Sequence, residues 1–173
     1  QLTARVISKD CFKKNPMRAA IETYNELGAN LAPNGAIMRC GIAAICPQWK
    51  SVAINQSVIT HVDSRCIYSS WACVKICNSL LYDMIPDYED VLSCSDEFIR
   101  NKHRDEFNRY TAIYNTENLD NMLSLLQLDG EGIGYTLKAL GVAFYTLRRI
   151  QGNKRSIDYK KTVLEIINAG GDT

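Results

Sequence analysis

The spacing of apolar residues constrains the fold of this chain most strongly. Between residues 65 and 84, apolar side chains such as Ile67, Trp71 and Val74 recur every three or four positions, which places them on one face of an α-helix. Few polar residues interrupt this segment, so we expect it to lie centrally. No alternating, β-branched run of strand length is found. The nearest candidate, residues 52–62, fits a short helix or an extended connection equally well. The sequence predicts an all-α fold.

Capping residues and helix breakers predict where several helices begin and end. Asn15 and Pro16 are suited to the start of a helix that Gly28 ends. Asp63 or Ser64 is suited to cap the central helix, and we expect Asp63 and Arg65 to cap and orient its entrance. The same signals predict further helices over residues 36–45, 88–110, 117–126, 135–150 and 156–168, the last one with Ser156 as its cap.

Charge patterning predicts which helices are exposed. Residues 88–110 alternate charges at helical spacing, so we expect one solvated outer helix with His103 facing water. Residues 156–168 instead carry several apolar side chains, and we expect a wide buried face formed by Val163, Leu164, Ile166 and Ile167.

Length and charge limit the kind of protein. The chain has 173 residues, a length that suits one domain over residues 1–173. Its 20 basic and 19 acidic side chains nearly balance, which gives no general attraction to nucleic acid or acidic membranes. No apolar stretch approaches the roughly 20 residues that a bilayer requires. The seven cysteines lack tight zinc-type pairs, so we interpret them as small buried hydrophobes and expect a cytoplasmic location.

Three glycine-bearing breaks between predicted helices are the candidate ligand sites. Residues 30–35 precede a helix whose N-terminal amides and dipole suit an anion such as phosphate. Residues 130–134 precede the next buried helix in the same way. Residues 169–173 end on Asp172 and Thr173, whose oxygens suit a hard cation. Each break taken alone is more often a simple turn.

Taken in order, these segments resemble the motifs of one family. Residues 34–39 read Asn-Gly-Ala-Ile-Met-Arg and are similar to its "NGALMR" signature. Residues 60–66 resemble its "SHxDPRC" turn, and residues 132–140 resemble its glycine-tyrosine segment. Residues 166–173 match the start of its "GGDTDT" metal motif. The family is that of the ADP-ribosylglycohydrolases, and the resemblance covers nearly all of the chain.

This resemblance implies a compact, orthogonal multi-helix fold and a function. Family members hold two magnesium ions at the mouth of a cleft and hydrolyse the glycosidic bond that links ADP-ribose to a protein side chain or related acceptor. The implied partner is therefore ADP-ribose or an ADP-ribosylated protein. The implied catalytic residue is Asp172, which would also be a metal ligand together with Thr173. The implied substrate-binding residues are Leu31, Ala32, Pro33, Asn34, Gly35, His61, Ile133, Gly134 and Tyr135.

Two parts of the family pattern do not occur in this sequence. The acidic N-terminal cluster has no counterpart before Tyr24, and the second Asp-Thr pair would follow Thr173. Because two hard cations need several carboxylate oxygens, we expect the chain to be a portion of a longer protein that carries the full metal site. The alternative is an inactive member that binds ADP-ribose or has a structural, crystallin-like role.

Overall fold

The computed structural model describes residues 2–152 and 158–170. Over these residues the regular structure is helical, and the β structure is limited to one isolated bridge between Pro33 and Tyr135. The all-α prediction is confirmed. The α-helices are α1 (Leu2–Ile7), α2 (Pro16–Glu26), α3 (Trp49–Val58), α4 (Ser64–Leu81), α5 (Tyr88–Ser93), α6 (Arg104–Tyr114), α7 (Leu119–Leu126), α8 (Thr136–Gly152) and α9 (Tyr159–Asn168). Short 3₁₀ helices cover Ile37–Ile45, Cys94–Glu97 and Asn101–His103.

Helix α4 is the centre of the fold, as its apolar sequence predicts. It packs against α3, α8 and the 3₁₀ helix Ile37–Ile45. Tyr68 and Val74 of α4 are fully buried, as is Phe144 of α8. The predicted cap is also correct, because the Asp63 carboxylate accepts a hydrogen bond of 2.9 Å from the Arg65 amide. The start of α4 is therefore fixed in the interior, where the site residues lie.

The prediction of one solvated helix over residues 88–110 is wrong. The segment consists of α5, two 3₁₀ turns and the beginning of α6, with an extended residue at Arg100. In one continuous helix of 3.6 residues per turn, Phe98 and Phe107 would point to opposite faces. The breaks allow both rings to reach Tyr68, at centroid distances of 5.9 and 5.4 Å respectively. Contact with the core therefore overrides the local helical pattern.

The predicted wide buried face of the last helix is also wrong. Leu164 and Ile167 of α9 are 47% and 48% exposed. The edge that faces α8 is held by polar contacts, since the Glu165 carboxylate accepts hydrogen bonds from Tyr145 and Arg149. Asp158 caps this helix through the Lys161 amide, whereas the predicted cap, Ser156, lies outside the described residues.

No helix in the described part of the chain combines the length and apolar character needed to cross a bilayer. In the segment 52–62, for which a short helix and an extended connection were both open, the residues up to Val58 belong to α3 and the last four lie outside the helix. All seven cysteines are free thiols, and Cys40 and Cys66 are buried.

Candidate functional site

Two of the glycine-bearing segments meet directly. We call residues 30–35 the first loop and residues 129–135 the second loop. The Asn34 amide donates a hydrogen bond of 2.7 Å to the Gly134 carbonyl, and the Thr136 amide donates one of 2.9 Å to the Ala32 carbonyl. Gly134 has a φ of +80°, a conformation that favours glycine over residues with a side chain. The two loops therefore form a short antiparallel junction at the N-terminus of α8.

The described beginning of the third glycine-bearing segment, residues 169–170, lies beside the same junction. A Cβ placed on Gly170 would approach the Asp129 Cβ to 2.6 Å, so the backbone after α9 packs tightly against the second loop. Gly170, Asn34 and Gly134 line one hollow of about 210 Å³. Gly171, Asp172 and Thr173 lie outside the described residues. The catalytic role of Asp172 and the metal-binding roles of Asp172 and Thr173 remain predictions.

A larger cleft of about 390 Å³ lies between the two loops. Leu31 and Ile133 at its rim are 38% and 55% exposed, which leaves both side chains accessible to a ligand. The predicted substrate-binding residues that line this cleft are Leu31, Ala32, Pro33, Ile133, Gly134 and Tyr135. Ala32 is largely committed to the protein itself, because its side chain is buried with Ala36 and Cys66.

The backbone amides of the first loop divide into two groups. The amide of Asn34 is used by Gly134 and is not available to a phosphate. The expectation that the amides around the first loop bind an anion is therefore wrong for Asn34. The next amide, of Gly35, has no acceptor among the described residues and precedes the 3₁₀ helix Ile37–Ile45. The Ala36 amide has none either, but Ala36 is fully buried. Unpaired amides at the start of a helix are suited to an anion.

His61 lies directly behind the first loop. Its side chain is 1% exposed, and a Cβ placed on Gly35 would lie only 3.0 Å from its Nε2. Its Nδ1 is 2.7 Å from the Thr60 hydroxyl. Burial, assisted by the positive charge of Arg39, lowers the pKa of His61 to about 4. The imidazole is therefore neutral near pH 7.

Arg65 joins the two loops to the start of α4. Its guanidinium donates to both carboxylate oxygens of Asp63, each at 2.8–2.9 Å. It also donates to Asn30 of the first loop at 2.8 Å and to the Tyr135 hydroxyl of the second at 3.2 Å. A last bond goes to the Glu106 carboxylate of α6. Because these contacts use all five guanidinium N–H groups, Arg65 positions the loops and has no donor left for a phosphate.

The Asp63 carboxylate is the buried centre of this network. It accepts a hydrogen bond of 2.6 Å from the Tyr24 hydroxyl in addition to those from Arg65. Burial alone would raise the pKa of Asp63, but the hydrogen bonds from Arg65 and Tyr24 outweigh burial and lower it. The carboxylate therefore stays ionised beside the guanidinium, and a tyrosine from α2 is tied to the entrance of α4.

The expectation that His103 faces water is wrong. The residue is 3% exposed, and its Nε2 lies 3.2 Å from Asp63 Oδ2. Burial lowers the pKa of His103 even though the Asp63 carboxylate acts in the opposite direction. Because charged residues flank His103, the local sequence predicts an exposed side chain although the ring is buried.

The described residues do not supply a metal centre by themselves. In residues 2–152 and 158–170, no group of three or more His, Cys, Asp or Glu side chains is placed to hold an ion. The ligands implied by the family motif, Asp172 and Thr173, follow Gly170 and lie outside these ranges.

The arrangement of the loops agrees with a comparison of the whole sequence. The sequence profile of the family described as ADP-ribosylglycohydrolase matches residues 6–173. The chain belongs to the ADP-ribosylglycohydrolase family. The match includes both loops, His61 and the whole of α4, so the family resemblance of the separate motifs is confirmed. Comparison with curated proteins gave no match, and comparison with solved structures gave none either.

Sequence reasoning missed the polar residues that support the ADP-ribosylglycohydrolase loops. Arg39, Thr60 and Glu106 were not candidates, although Arg39 contacts Gly35, Thr60 contacts His61 and Glu106 contacts Arg65. A usable signal did exist for Asp63 and Arg65, because a charged pair at the entrance of a largely apolar helix needs internal partners. The sequence assigned these two residues only a capping and orienting role.

Proposed function

We propose that the complete protein hydrolyses the glycosidic bond between ADP-ribose and a modified protein side chain or related acceptor, and that it requires Mg²⁺. The observation that supports this proposal is the junction of the two loops at Asn34 and Gly134, within a chain that belongs to the family over residues 6–173. The family acts on ADP-ribosylated substrates, which supports the general kind of partner.

The first loop offers donors that suit a diphosphate. A diphosphate needs hydrogen-bond donors without nearby negative charge. The amide of Gly35 has no acceptor among the described residues, and the neutral imidazole of His61 lies against Gly35. In this proposal the Gly35 amide binds a phosphate, and His61 contacts either the diphosphate or the reacting ribose.

The second loop suits the adenosine end. Ile133, Gly134 and Tyr135 line both the cleft between the loops and the hollow beside Gly170. The hollow is walled mainly by apolar side chains, including Met38 and Val142. Adenine is a flat, largely apolar ring with polar edges, which is the kind of group that such a surface buries well.

The chemistry proposed here needs negative charge near the sugar. Cleavage at the anomeric carbon of ribose develops oxocarbenium character, which a carboxylate stabilises. We assign this role to Asp172. Bound magnesium would supply orientation of the ribose hydroxyls and of a water molecule.

A release assay tests the proposal. The complete protein is incubated with ADP-ribosylated arginine, serine or protein, with Mg²⁺ or with a chelator. Release of ADP-ribose with Mg²⁺ and not with chelator supports the proposed hydrolase. Binding of ADP-ribose without release in either condition supports the inactive, binding member of the family. Absence of both release and binding overturns the assignment of the cleft.

A further inference from the structure

Arg39 and Thr60 form a hydrogen-bonded path to His61. The Arg39 guanidinium donates to the Thr60 hydroxyl at 2.5 Å and to the Gly35 carbonyl at 3.1 Å. It is fixed from the other side by Gln56, whose carbonyl oxygen accepts at 2.7 Å. Thr60 Oγ1 is in turn 2.7 Å from His61 Nδ1. Thr60 and His61 are 4% and 1% exposed, so water does not compete strongly for these contacts.

The direction of the hydrogen bonds along this path follows from the donors available. Arginine has only donors, so the Thr60 oxygen must accept from Arg39. The Thr60 hydroxyl proton then needs an acceptor, and among the described residues the remaining partner of this oxygen is His61 Nδ1. An unprotonated Nδ1 accepts this proton, whereas a protonated Nδ1 would leave the buried hydroxyl proton without a partner among the described residues, which is costly. A neutral imidazole with an unprotonated Nδ1 carries its proton on Nε2.

We propose that Arg39 and Thr60 are positioning residues that hold His61 in the tautomer with the proton on Nε2, so that the ring presents an N–H donor to the first loop. The edge of the ring that carries Nε2 is the edge that faces Gly35. The role of this donor toward a diphosphate rests on the function proposed above, whereas the tautomer itself is a property of the ligand-free protein.

The tautomer matters because it decides the sign of the interaction with an anion. With the proton on Nε2, the imidazole offers a donor to a phosphate or hydroxyl oxygen. With the proton on Nδ1, a lone pair would face the same oxygen and repel it. Arg39 also links the two parts of the site, since the same guanidinium holds the Gly35 carbonyl of the first loop. One side chain thus fixes both the position of the loop and the donor behind it.

The direct test is ¹⁵N NMR of the ligand-free full chain with labelled histidine. The chain contains only two histidines, and the His61→Gln variant assigns the signals. We expect His61 to show an unprotonated Nδ1 and a protonated Nε2 near pH 7. A protonated Nδ1 in the wild-type chain overturns the inference, and this result needs no variant to fold.

A pair of variants tests the role of the hydroxyl. Thr60→Val keeps the shape and removes the hydroxyl, whereas Thr60→Ser keeps the hydroxyl. We expect Thr60→Val to give a mixture of tautomers and to weaken ADP-ribose binding about tenfold, and Thr60→Ser to restore both properties. An unchanged tautomer in Thr60→Val overturns the inference.

The two readouts separate this inference from the proposed function. If the expected tautomer is found but ADP-ribose does not bind the wild-type chain, the proposed function fails and the tautomer assignment stands. If ADP-ribose binds while Nδ1 is protonated, the tautomer assignment fails and the proposed function stands.

Discussion

The amide of Asn34 donates a hydrogen bond of 2.7 Å to the carbonyl of Gly134. These two residues belong to loops that are far apart in the sequence, and each loop precedes a helix that packs on α4. The bond joins the first loop, which carries the unpaired Gly35 amide, to the second loop, which carries the exposed side chain of Ile133. The candidate ADP-ribose site therefore depends on the conformation of the loop backbones as much as on individual side chains.

The first prediction concerns the left-handed conformation of Gly134. Its φ of +80° disfavours any residue with a Cβ, and Gly134→Ala should cost about 1–2 kcal/mol in the free energy of unfolding. We also expect ADP-ribose affinity to fall, because the junction to Asn34 is distorted. Urea unfolding and calorimetric titration measure the two effects. Gly41→Ala is the matched control, since a Cβ there meets nothing within 4 Å. Equal behaviour of the two variants would contradict the prediction.

The second prediction concerns the buried Arg65. Arg65→Met removes five hydrogen bonds and leaves the Asp63 carboxylate buried without its counter-charge, which should destabilise the fold by about 3–5 kcal/mol. Arg65→Lys keeps a charge but not the planar arrangement of donors, so we expect an intermediate loss. Arg18→Met, which removes an exposed ion pair with Glu22, is the control and should have no measurable effect. Similar unfolding curves for Arg65→Met and Arg18→Met would refute the positioning role.

The third prediction concerns the pH dependence of stability. The pKa of His61 is about 4 in the folded chain against 6.5 as its ordinary value. Between these two pH values the unfolded chain therefore binds more protons than the folded chain. The stability that neutral His61 contributes to the folded chain is complete above pH 6.5 and is lost as the pH falls toward 4. The loss should approach about 3 kcal/mol.

Urea unfolding of the wild-type chain and of His61→Gln across this window measures the effect. His103 remains in both chains and contributes equally, so the comparison isolates His61. The difference between the unfolding free energies of the two chains should change with pH between the folded and the ordinary pKa of His61. A flat difference would show that His61 titrates normally.

The fourth prediction concerns the proposed carboxylate. In the complete protein, Asp172→Asn should abolish release of ADP-ribose while retaining most ADP-ribose binding, because the two loops remain intact. Addition of a chelator to the complete wild-type protein should have the same effect on release. Release assays and calorimetric titration on the same preparations provide the measurements. Full release activity in Asp172→Asn would remove this residue from the mechanism.

Local signals in the sequence predicted part of the fold well. Asn15 and Asp63 cap α2 and α4 as expected, because a cap depends on residues within one turn. The breaks between Ser93 and Arg104 were not predicted. They exist because Phe98 and Phe107 both contact Tyr68, and such a contact between distant residues leaves no trace in local periodicity.

The candidate site also contains a part that the sequence predicted and a part that depends on contacts between distant residues. The family motifs predicted the residues of both loops and His61. The supporting contacts were missed, because Arg39, Thr60 and His61 come together only when the 3₁₀ helix Ile37–Ile45 packs beside α3 and α4. His103 was misjudged because its charged neighbours suggest a solvated helix, whereas the ring itself lies beside Asp63.

The most direct test of the central claim is a titration of the ¹⁵N-labelled full chain with ADP-ribose, followed by backbone NMR. The claim is that the two loops together form the ADP-ribose site. We expect saturable shifts of the amides of Gly35, Ala36, Gly134 and Tyr135, with smaller changes elsewhere. Saturable binding that leaves these four amides unmoved, or no binding at all, would contradict the claim.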